Sequence, residues 1–174
     1  TWEDYFASKL RIFEQCTYGL VNLDSEHCEE ILEAAKASKK IVTFSETKEA
    51  ADFYGYNVHK VGNDIVFNVR GSDFDEEFKL SMPGLFNVSN ALCAIAIARL
   101  YDIPVSDIQA GLYQAKVPGR MEIYTSNDQK ITAIVDYAHN QLSFQKLFES
   151  VRNEYPGYRA TIIFGCPGKK AQDR

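Results

Sequence analysis

Two asparagines, Asn87 and Asn90, lie in the segment Gly-Leu-Phe-Asn-Val-Ser-Asn-Ala at residues 84–91. A side-chain amide donates and accepts hydrogen bonds at once, which suits recognition of the edge of an adenine base. The segment precedes a strongly apolar stretch, so the pattern predicts a helix that begins at Asn90, with this side chain capping free backbone N–H groups. Capping alone is the simpler explanation when such a motif stands by itself.

Arg120 follows a Pro-Gly pair in the segment Val-Pro-Gly-Arg-Met-Glu at residues 117–122. A guanidinium group is planar and always charged, so it is well suited to bind a phosphate through two parallel hydrogen bonds. The alternative is a surface arginine that pairs with Glu122.

Asp136 stands at the end of an apolar strand pattern, in the segment Val-Asp-Tyr-Ala-His-Asn at residues 135–140, and His139 follows three residues later. Ligands of open parallel sheets bind at the carboxyl ends of the strands. The two side chains could therefore bind ribose hydroxyls or magnesium. Asp136 could equally cap the helix that follows, and the residues alone leave both functions open.

Three other side chains could carry chemistry but have no evident partner in the sequence. Lys9 lies on an amphipathic helix pattern, where a lysine is ordinarily a solvated surface residue, and the periodicity does not separate it from Arg11. His27 and His59 show no partner in the sequence, and we expect both to lie on the surface.

The cysteines predict no metal site. They lie far apart and form no Cys-x-x-Cys pair, which favours unpaired thiols in a reducing compartment: Cys16, Cys28, Cys93 and Cys166. The sequence Gly-Cys-Pro-Gly at residues 165–168 resembles a turn that accepts a phosphate, but its glycine spacing is not that of a P-loop or of a dinucleotide fingerprint.

The composition is that of a globular protein. The chain has 174 residues, 45% of them hydrophobic, and a formal net charge of −5. It can bury one moderate core or two small ones, and a net negative charge with scattered cations argues against nucleic-acid binding. No apolar run approaches the roughly 18 residues of a membrane helix and the N-terminus does not have the pattern of a signal peptide, so we expect a cytoplasmic protein.

The hydrophobic patterns predict an α/β fold. A helix over residues 2–15 precedes a strand, a helix and a strand at 19–22, 26–36 and 40–44, an alternation typical of a parallel sheet. Short β-branched and aromatic segments then predict an antiparallel meander, over residues 54–60, 64–69 and 77–82. Two helices follow, from 90 to about 100 and from 106, where Ser106 would cap the second.

We predict a domain boundary near residues 117–120, with one domain over 1–118 and a second over 119–174. The second part begins a new β-α-β pattern. Its predicted elements are strands at 121–126 and 130–136, a helix at 142–154 and a buried strand at 160–164.

The motifs, in this order, resemble those of the Mur ligases of peptidoglycan synthesis, most of all the enzymes that add the third amino acid of the stem peptide. The family shares Gly-x-Phe-Asn-Val-x-Asn, Gly-Arg-Met-Glu and Asp-Tyr-Ala-His. The resemblance covers essentially the whole chain. It implies the second part of the ATP-binding central domain, a parallel sheet with helices plus a small antiparallel meander, and then the beginning of a Rossmann-like C-terminal domain.

The resemblance also implies site residues. It places Asn87 and Asn90 near adenine, Arg120 at the interdomain hinge where it reaches ATP, and Asp136 with His139 near ribose and phosphate.

A further segment, residues 5–13, resembles the family pattern Tyr-x-x-Ala-Lys-x-x-Leu-Phe. It puts Lys9 on the family's carbamylated lysine, a ligand of Mg²⁺. Three places depart from the expected patterns. Ser25 replaces the second acid after residues 19–24, and Asn140 stands where the enzymes that add the third amino acid often have Thr-Pro. Residues 165–170 replace the common Gly-Cys-Gly-Gly-Asp-Arg.

The function implied by the resemblance is ATP-dependent amide-bond formation, with Lys9 and Arg120 as catalytic residues. ATP would phosphorylate the terminal carboxylate of UDP-MurNAc-L-Ala-D-Glu, and an amine would displace phosphate from the acyl phosphate. ATP and Mg²⁺ would be the cofactors, and the partners would be this dipeptide and an amino acid, either L-lysine, meso-diaminopimelate or another amine. We expect a monomer without nucleic-acid or membrane partners.

Two alternatives remain: a folylpolyglutamate or cyanophycin synthetase-like ligase, and a non-catalytic nucleotide-binding module. The family's P-loop is not in this sequence and both ends resemble cuts in a longer protein, so we expect residues 1–174 alone to be inactive.

Overall fold

The computed structural model describes residues 1–62 and 64–165. The chain divides into two compact units, Thr1–Lys116 and the part from Val117 onward. Within the described residues, no helix is both long and apolar enough to cross a membrane.

The first unit is built on one five-stranded sheet. Its elements, in chain order, are α1 (Trp2–Leu10), a 3₁₀ turn (Arg11–Gln15), β1 (Tyr18–Asn22), α2 (Cys28–Ala35), β2 (Lys40–Ser45), β3 (Phe53–Val61), β4 (Asp64–Arg70), β5 (Asp75–Leu80), α3 (Asn87–Leu100) and α4 (Val105–Gln114). The strands lie in the order β1-β2-β3-β4-β5. β1, β2 and β3 run parallel, and β3, β4 and β5 are antiparallel. The predicted parallel sheet and meander are confirmed, and they form one continuous sheet.

Helix α3 covers one face of this sheet. Its buried residues recur three and four positions apart, which gives one apolar stripe: Val88, Ala91, Leu92, Ile95 and Ala96. The stripe packs on inward-facing side chains of the strands, among them Ile65, Phe67 and Phe78, all with 0% exposure. Gly55 on β3 lies directly under Leu92, where a Cβ would be 2.9 Å from Leu92 Cδ1.

Two helix starts differ from the sequence expectation. Helix α3 begins at Asn87, three residues before Asn90, and α4 begins at Val105 after Pro104. Asn90 and Ser106 are therefore inside helices, and neither is a cap. The backbone tightens before α3, since the N–H of Asn87 donates to Gly84 O at 2.9 Å.

The second unit contains an antiparallel hairpin and one helix in its described part: β6 (Glu122–Thr125), β7 (Thr132–Val135) and α5 (Gln141–Glu154). The predicted buried strand at residues 160–164 is wrong. Ile163 is 95% exposed, and among the described residues β6 and β7 pair only with each other. A parallel strand needs a neighbour to pair its backbone and cover its side chains, and residues 160–164 have none there.

Candidate functional site

The start of α3 carries an asparagine pair. Asn87 is 7% exposed, and its Nδ2 donates to Pro83 O at 2.7 Å. Its Oδ1 accepts from Asn90 Nδ2 at 3.1 Å. Asn87 thus has both ends of its amide engaged, whereas Asn90 is exposed and its Oδ1 accepts no hydrogen bond from the described residues. Asn87 therefore holds the Nδ2 end of the Asn90 amide and leaves its Oδ1 without a described donor.

The carboxyl end of β1 is tied to the same helix turn. Asn22 Nδ2 donates to Ser89 Oγ at 3.0 Å, and Asn22 Oδ1 accepts from the N–H of Asp24 at 2.9 Å. Ser89 immediately precedes Asn90, so the strand end and the exposed amide belong to one hydrogen-bonded region. Open parallel sheets bind ligands at this edge.

Asp24 and the end of β2 extend this region. Asp24 Oδ1 accepts from Ser45 Oγ at 2.6 Å and from Thr47 Oγ1 at 2.5 Å, and Oδ2 accepts from the N–H of Glu46 at 2.7 Å. Partial burial by itself would raise the pKa of Asp24, but the hydrogen bonds from Ser45, Thr47 and the backbone outweigh it and lower the pKa.

Glu46 has the opposite shift. Burial raises the pKa of its carboxyl group, and the negative charge of Asp24 raises it further. Two neighbouring carboxylates whose pKa values move apart are typical of sites that handle charge or protons. The sequence argument missed Ser45 and Glu46. Their signal was a polar run directly after an apolar parallel strand.

Lys9 is not connected to these groups by any described contact. It is exposed in the last turn of α1, and its Nζ lies 5.4 Å from the ring centre of Tyr5. No contact among the described residues links it to Asn90 or Asp24. Over residues 1–62 and 64–165, no three His, Cys, Asp or Glu side chains are grouped so that they could hold a metal ion.

His27 is half-buried between α1 and α2. Its ring centre is 4.7 Å from that of Trp2 and 5.1 Å from that of Phe6, and its Nδ1 is 3.4 Å from Glu30 Oε1. His27 therefore packs α2 on α1. His59 is exposed, as expected, and its Nδ1 lies 2.7 Å from Asn57 O.

The cysteines agree with unpaired thiols where they are described. Cys16, Cys28 and Cys93 are free, and burial raises the pKa of the Cys93 thiol. Cys166, most of the turn predicted at residues 165–168, and Asn63 lie outside the described residues.

In the second unit, the carboxylate of Asp136 accepts hydrogen bonds from two backbone N–H groups. Its Oδ2 accepts from the N–H of Met121 at 2.9 Å, and its Oδ1 accepts from the N–H of Ala138 at 2.8 Å. Helix α5 is capped by Asn140, whose side chain accepts from the N–H of Ser143. The alternative in which Asp136 caps this helix is therefore wrong.

Arg120 and His139 both contact Tyr137, the residue that follows this aspartate. The guanidinium carbon of Arg120 is 5.1 Å from the ring centre of Tyr137, within cation–π range, and the ring of His139 is 4.9 Å from the same ring. His139 Nδ1 donates to Tyr137 O at 2.8 Å. Glu122 accepts from Tyr124 OH instead of pairing with Arg120. The structure thus brings together Arg120, Asp136 and His139 around Tyr137.

Comparison with known proteins shows the family to which both parts of the chain are similar. Residues 1–98 match the family described as the Mur ligase middle domain, and residues 119–174 match the Mur ligase glutamate ligase domain. The chain is 30% identical over 176 residues to the UDP-N-acetylmuramoyl-L-alanyl-D-glutamate–2,6-diaminopimelate ligase of Clostridium perfringens, covering 98% of this chain and 35% of that protein.

A second relative is named for a different amino acid, L-lysine. The UDP-N-acetylmuramoyl-L-alanyl-D-glutamate–L-lysine ligase of Streptococcus agalactiae is 34% identical over 179 residues, which cover 100% of this chain and 34% of that protein. The chain therefore spans about a third of the length of these relatives.

A solved structure shares the fold. The crystal structure of MurF from Acinetobacter baumannii superposes with a TM-score of 0.74 and 22% sequence identity, over 86% of this chain and 33% of that one. The family match covers more than half of the chain, since it includes residues 1–98 of 174. The chain therefore belongs to the Mur ligase family.

Proposed function

We propose that the chain forms part of an ATP-dependent ligase that adds the third amino acid to UDP-MurNAc-L-Ala-D-Glu. The observation that carries the proposal is the match of nearly the whole chain, at 30% and 34% identity, to two ligases named for this dipeptide. The proposal includes a monomeric, cytoplasmic enzyme that acts on small molecules, with domains over residues 1–118 and 119–174.

Asn90 is the side chain proposed to recognise adenine. The Asn90 side chain is exposed, and its Oδ1 can accept from the exocyclic amino group of the base, while Nδ2 is held by Asn87. Asn87 is buried and engaged at both ends, so its part in nucleotide binding is to hold Asn90 in place.

Arg120, Asp136 and His139 are proposed to bind the phosphates and the ribose. Arg120 offers a planar cation next to Tyr137. Each oxygen of Asp136 already accepts one backbone hydrogen bond and can accept a second, so a ribose hydroxyl can still be bound.

Lys9 is proposed to hold Mg²⁺ after carbamylation. An ammonium group cannot bind a cation, whereas a carbamate supplies the oxygen ligands that Mg²⁺ prefers. The Lys9 side chain is exposed and its one described contact is with the Tyr5 ring, so Nζ is accessible for this change. When bound, ATP and Mg²⁺ supply the phosphoryl group that activates the carboxylate and the charge neutralisation that the transfer needs.

A chimeric enzyme tests the proposal. Residues 1–174 replace the matching third of the S. agalactiae L-lysine ligase, and amide formation is assayed with ATP, L-lysine or diaminopimelate. The muramoyl dipeptide and a folate are offered as competing acceptors. We expect product from the dipeptide. Exclusive use of the folate would favour the folylpolyglutamate alternative, and a folded chimera that binds ATP without making an amide bond would favour a nucleotide-binding module.

Lys9 has a matched control in the same segment. K9A is expected to lower the rate of the chimera by about 10- to 100-fold or more, the usual cost of disturbing a metal site. R11A removes a neighbouring exposed cation and is expected to leave the rate within about twofold. Equal effects of the two substitutions would refute the metal-binding function of Lys9.

A further inference from the structure

The segment before β6 has a backbone that needs support. Gly119 and Met121 both lie in the left-handed region, with φ values of 71° and 48°. Glycine adopts this conformation at no steric cost, but a residue with a long side chain does so only when its surroundings hold it there. Met121 is 2% exposed, so its side chain is fixed in the interior. Arg120 lies between the two residues, and its direction depends on this backbone.

Asp136 supplies support to that backbone. The last paired residues of the hairpin are Glu122 and Val135, so Met121 and Asp136 are the next positions along the two chains. At this next position the hydrogen bond from the N–H of Met121 goes to a side chain and not to a backbone carbonyl. Its acceptor is Asp136 Oδ2, at 2.9 Å. Hydrogen bonds to a charged acceptor are stronger than those between neutral groups.

Tyr137 acts on the side chain of Arg120. Its ring centre lies 5.1 Å from the guanidinium carbon, and it is the next residue after Asp136. Two neighbouring residues therefore contact the Arg120 segment at two points. Asp136 holds the backbone just after Arg120, and Tyr137 lies against the guanidinium group.

We propose that Asp136 is a positioning residue for Arg120: it holds Met121 in its left-handed conformation and so keeps the guanidinium over Tyr137. The inference rests on the proposed function in one respect, that Arg120 binds phosphate. The restraint itself is present without nucleotide, so it can be measured independently of ligase activity.

Amide hydrogen exchange of residues 1–174, followed by NMR, tests the restraint. D136A removes the acceptor, and we expect the Met121 amide to exchange about tenfold faster or more. D128A is the matched control, because Asp128 accepts from the N–H of Lys130 and from Ser126 Oγ at the other end of the same hairpin. It is expected to leave the Met121 amide unchanged. An unchanged Met121 amide in D136A, or an equal acceleration of every β6–β7 amide, would overturn the proposal.

A second readout follows the Arg120 side chain. Its Cδ protons are expected to be shifted upfield by the ring current of Tyr137, to remain so in Y137F and to lose the shift in Y137L. D136A is expected to move them most of the way toward the Y137L position, and D136N, which keeps one acceptor oxygen, to move them less. If D136A leaves these protons where they are in the unchanged chain while Y137L moves them, Asp136 does not position Arg120. A failed ligase assay would leave both readouts unaffected.

Discussion

Gly55→Ala tests how tightly α3 packs on the sheet. An added Cβ would lie 2.9, 3.1 and 3.3 Å from three atoms of Leu92, closer than carbon atoms approach without a shift. Leu92 has 0% exposure and is enclosed by the core, so it cannot swing aside. Overpacking of this kind costs about 1–3 kcal/mol. With a urea slope of roughly 1–3 kcal/mol per molar, the midpoint should fall by about 1 M.

The measurement is urea unfolding followed by far-UV circular dichroism and by the fluorescence of Trp2, the one tryptophan of the chain. Coincident transitions from the two probes justify a two-state free energy of unfolding. Gly111→Ala is the control, because nothing lies within 4 Å of a Cβ there and the residue is inside α4. It should stabilise the chain by about 0.5–1 kcal/mol.

A double-mutant cycle completes the test. Leu92→Ala alone should cost about 2–5 kcal/mol through the cavity that it leaves. Combined with Gly55→Ala it should cost less than the sum, by about 1–2 kcal/mol, because the new methyl group then has room. Additive costs, or an unchanged midpoint for Gly55→Ala, would refute the steric argument.

Three further substitutions have defined outcomes. Ser45→Ala removes the buried donor to Asp24 and two backbone hydrogen bonds, and should cost about 2–3 kcal/mol in urea unfolding. Glu46→Gln should raise the urea midpoint at pH 7. Because the folded protein raises the pKa of Glu46, the neutral form of this side chain favours folding. The stability that this form contributes is fully present below the ordinary pKa of 4.5 and is lost as the pH rises through the folded pKa. The gain should vanish below that value. Asn140→Ala removes the capping box with Ser143 and should cost α5 about 1 kcal/mol, measured by amide exchange.

Controls of the same chemical type are present in the chain. Ser106→Ala lies on the exposed side of α4 and should change stability by less than about 0.5 kcal/mol. Asn153→Ala lies in the last turn of α5 and should not accelerate exchange in its first turn. If Glu46→Gln stabilised the chain equally at pH 4 and pH 7, its effect would not come from ionisation.

Local patterns were enough to predict most elements of the first unit. The parallel strands β1 and β2 are short and apolar, and the helix between them carries its own periodicity. The start of α3 was misplaced because it depends on a contact that precedes the helix, the bond from Asn87 Nδ2 to Pro83 O. A cap pattern contains no information about such a contact.

The candidate site, too, could be predicted only in part from the sequence. Motifs indicated Asn87, Asn90, Arg120 and Asp136 singly, and their roles toward a ligand stay predictions. The hydrogen bonds of Asp24 to Ser45 and Thr47 join residues 21 and 23 positions apart, so only the pairing of β1 with β2 brings them together. The prediction of a strand at residues 160–164 was wrong for a different reason. The composition of this segment suits a strand, but a strand also needs a neighbouring strand with which to pair.

That exposed segment has a consequence for handling the protein. Residues 160–164 are Ala-Thr-Ile-Ile-Phe, uncharged and rich in β-branched side chains, and Ile162, Ile163 and Phe164 are 54%, 95% and 66% exposed. Short segments of this composition, without charge or proline, pair readily with copies of themselves. Self-association of this chain at high concentration should therefore begin here, through strands contributed by separate molecules.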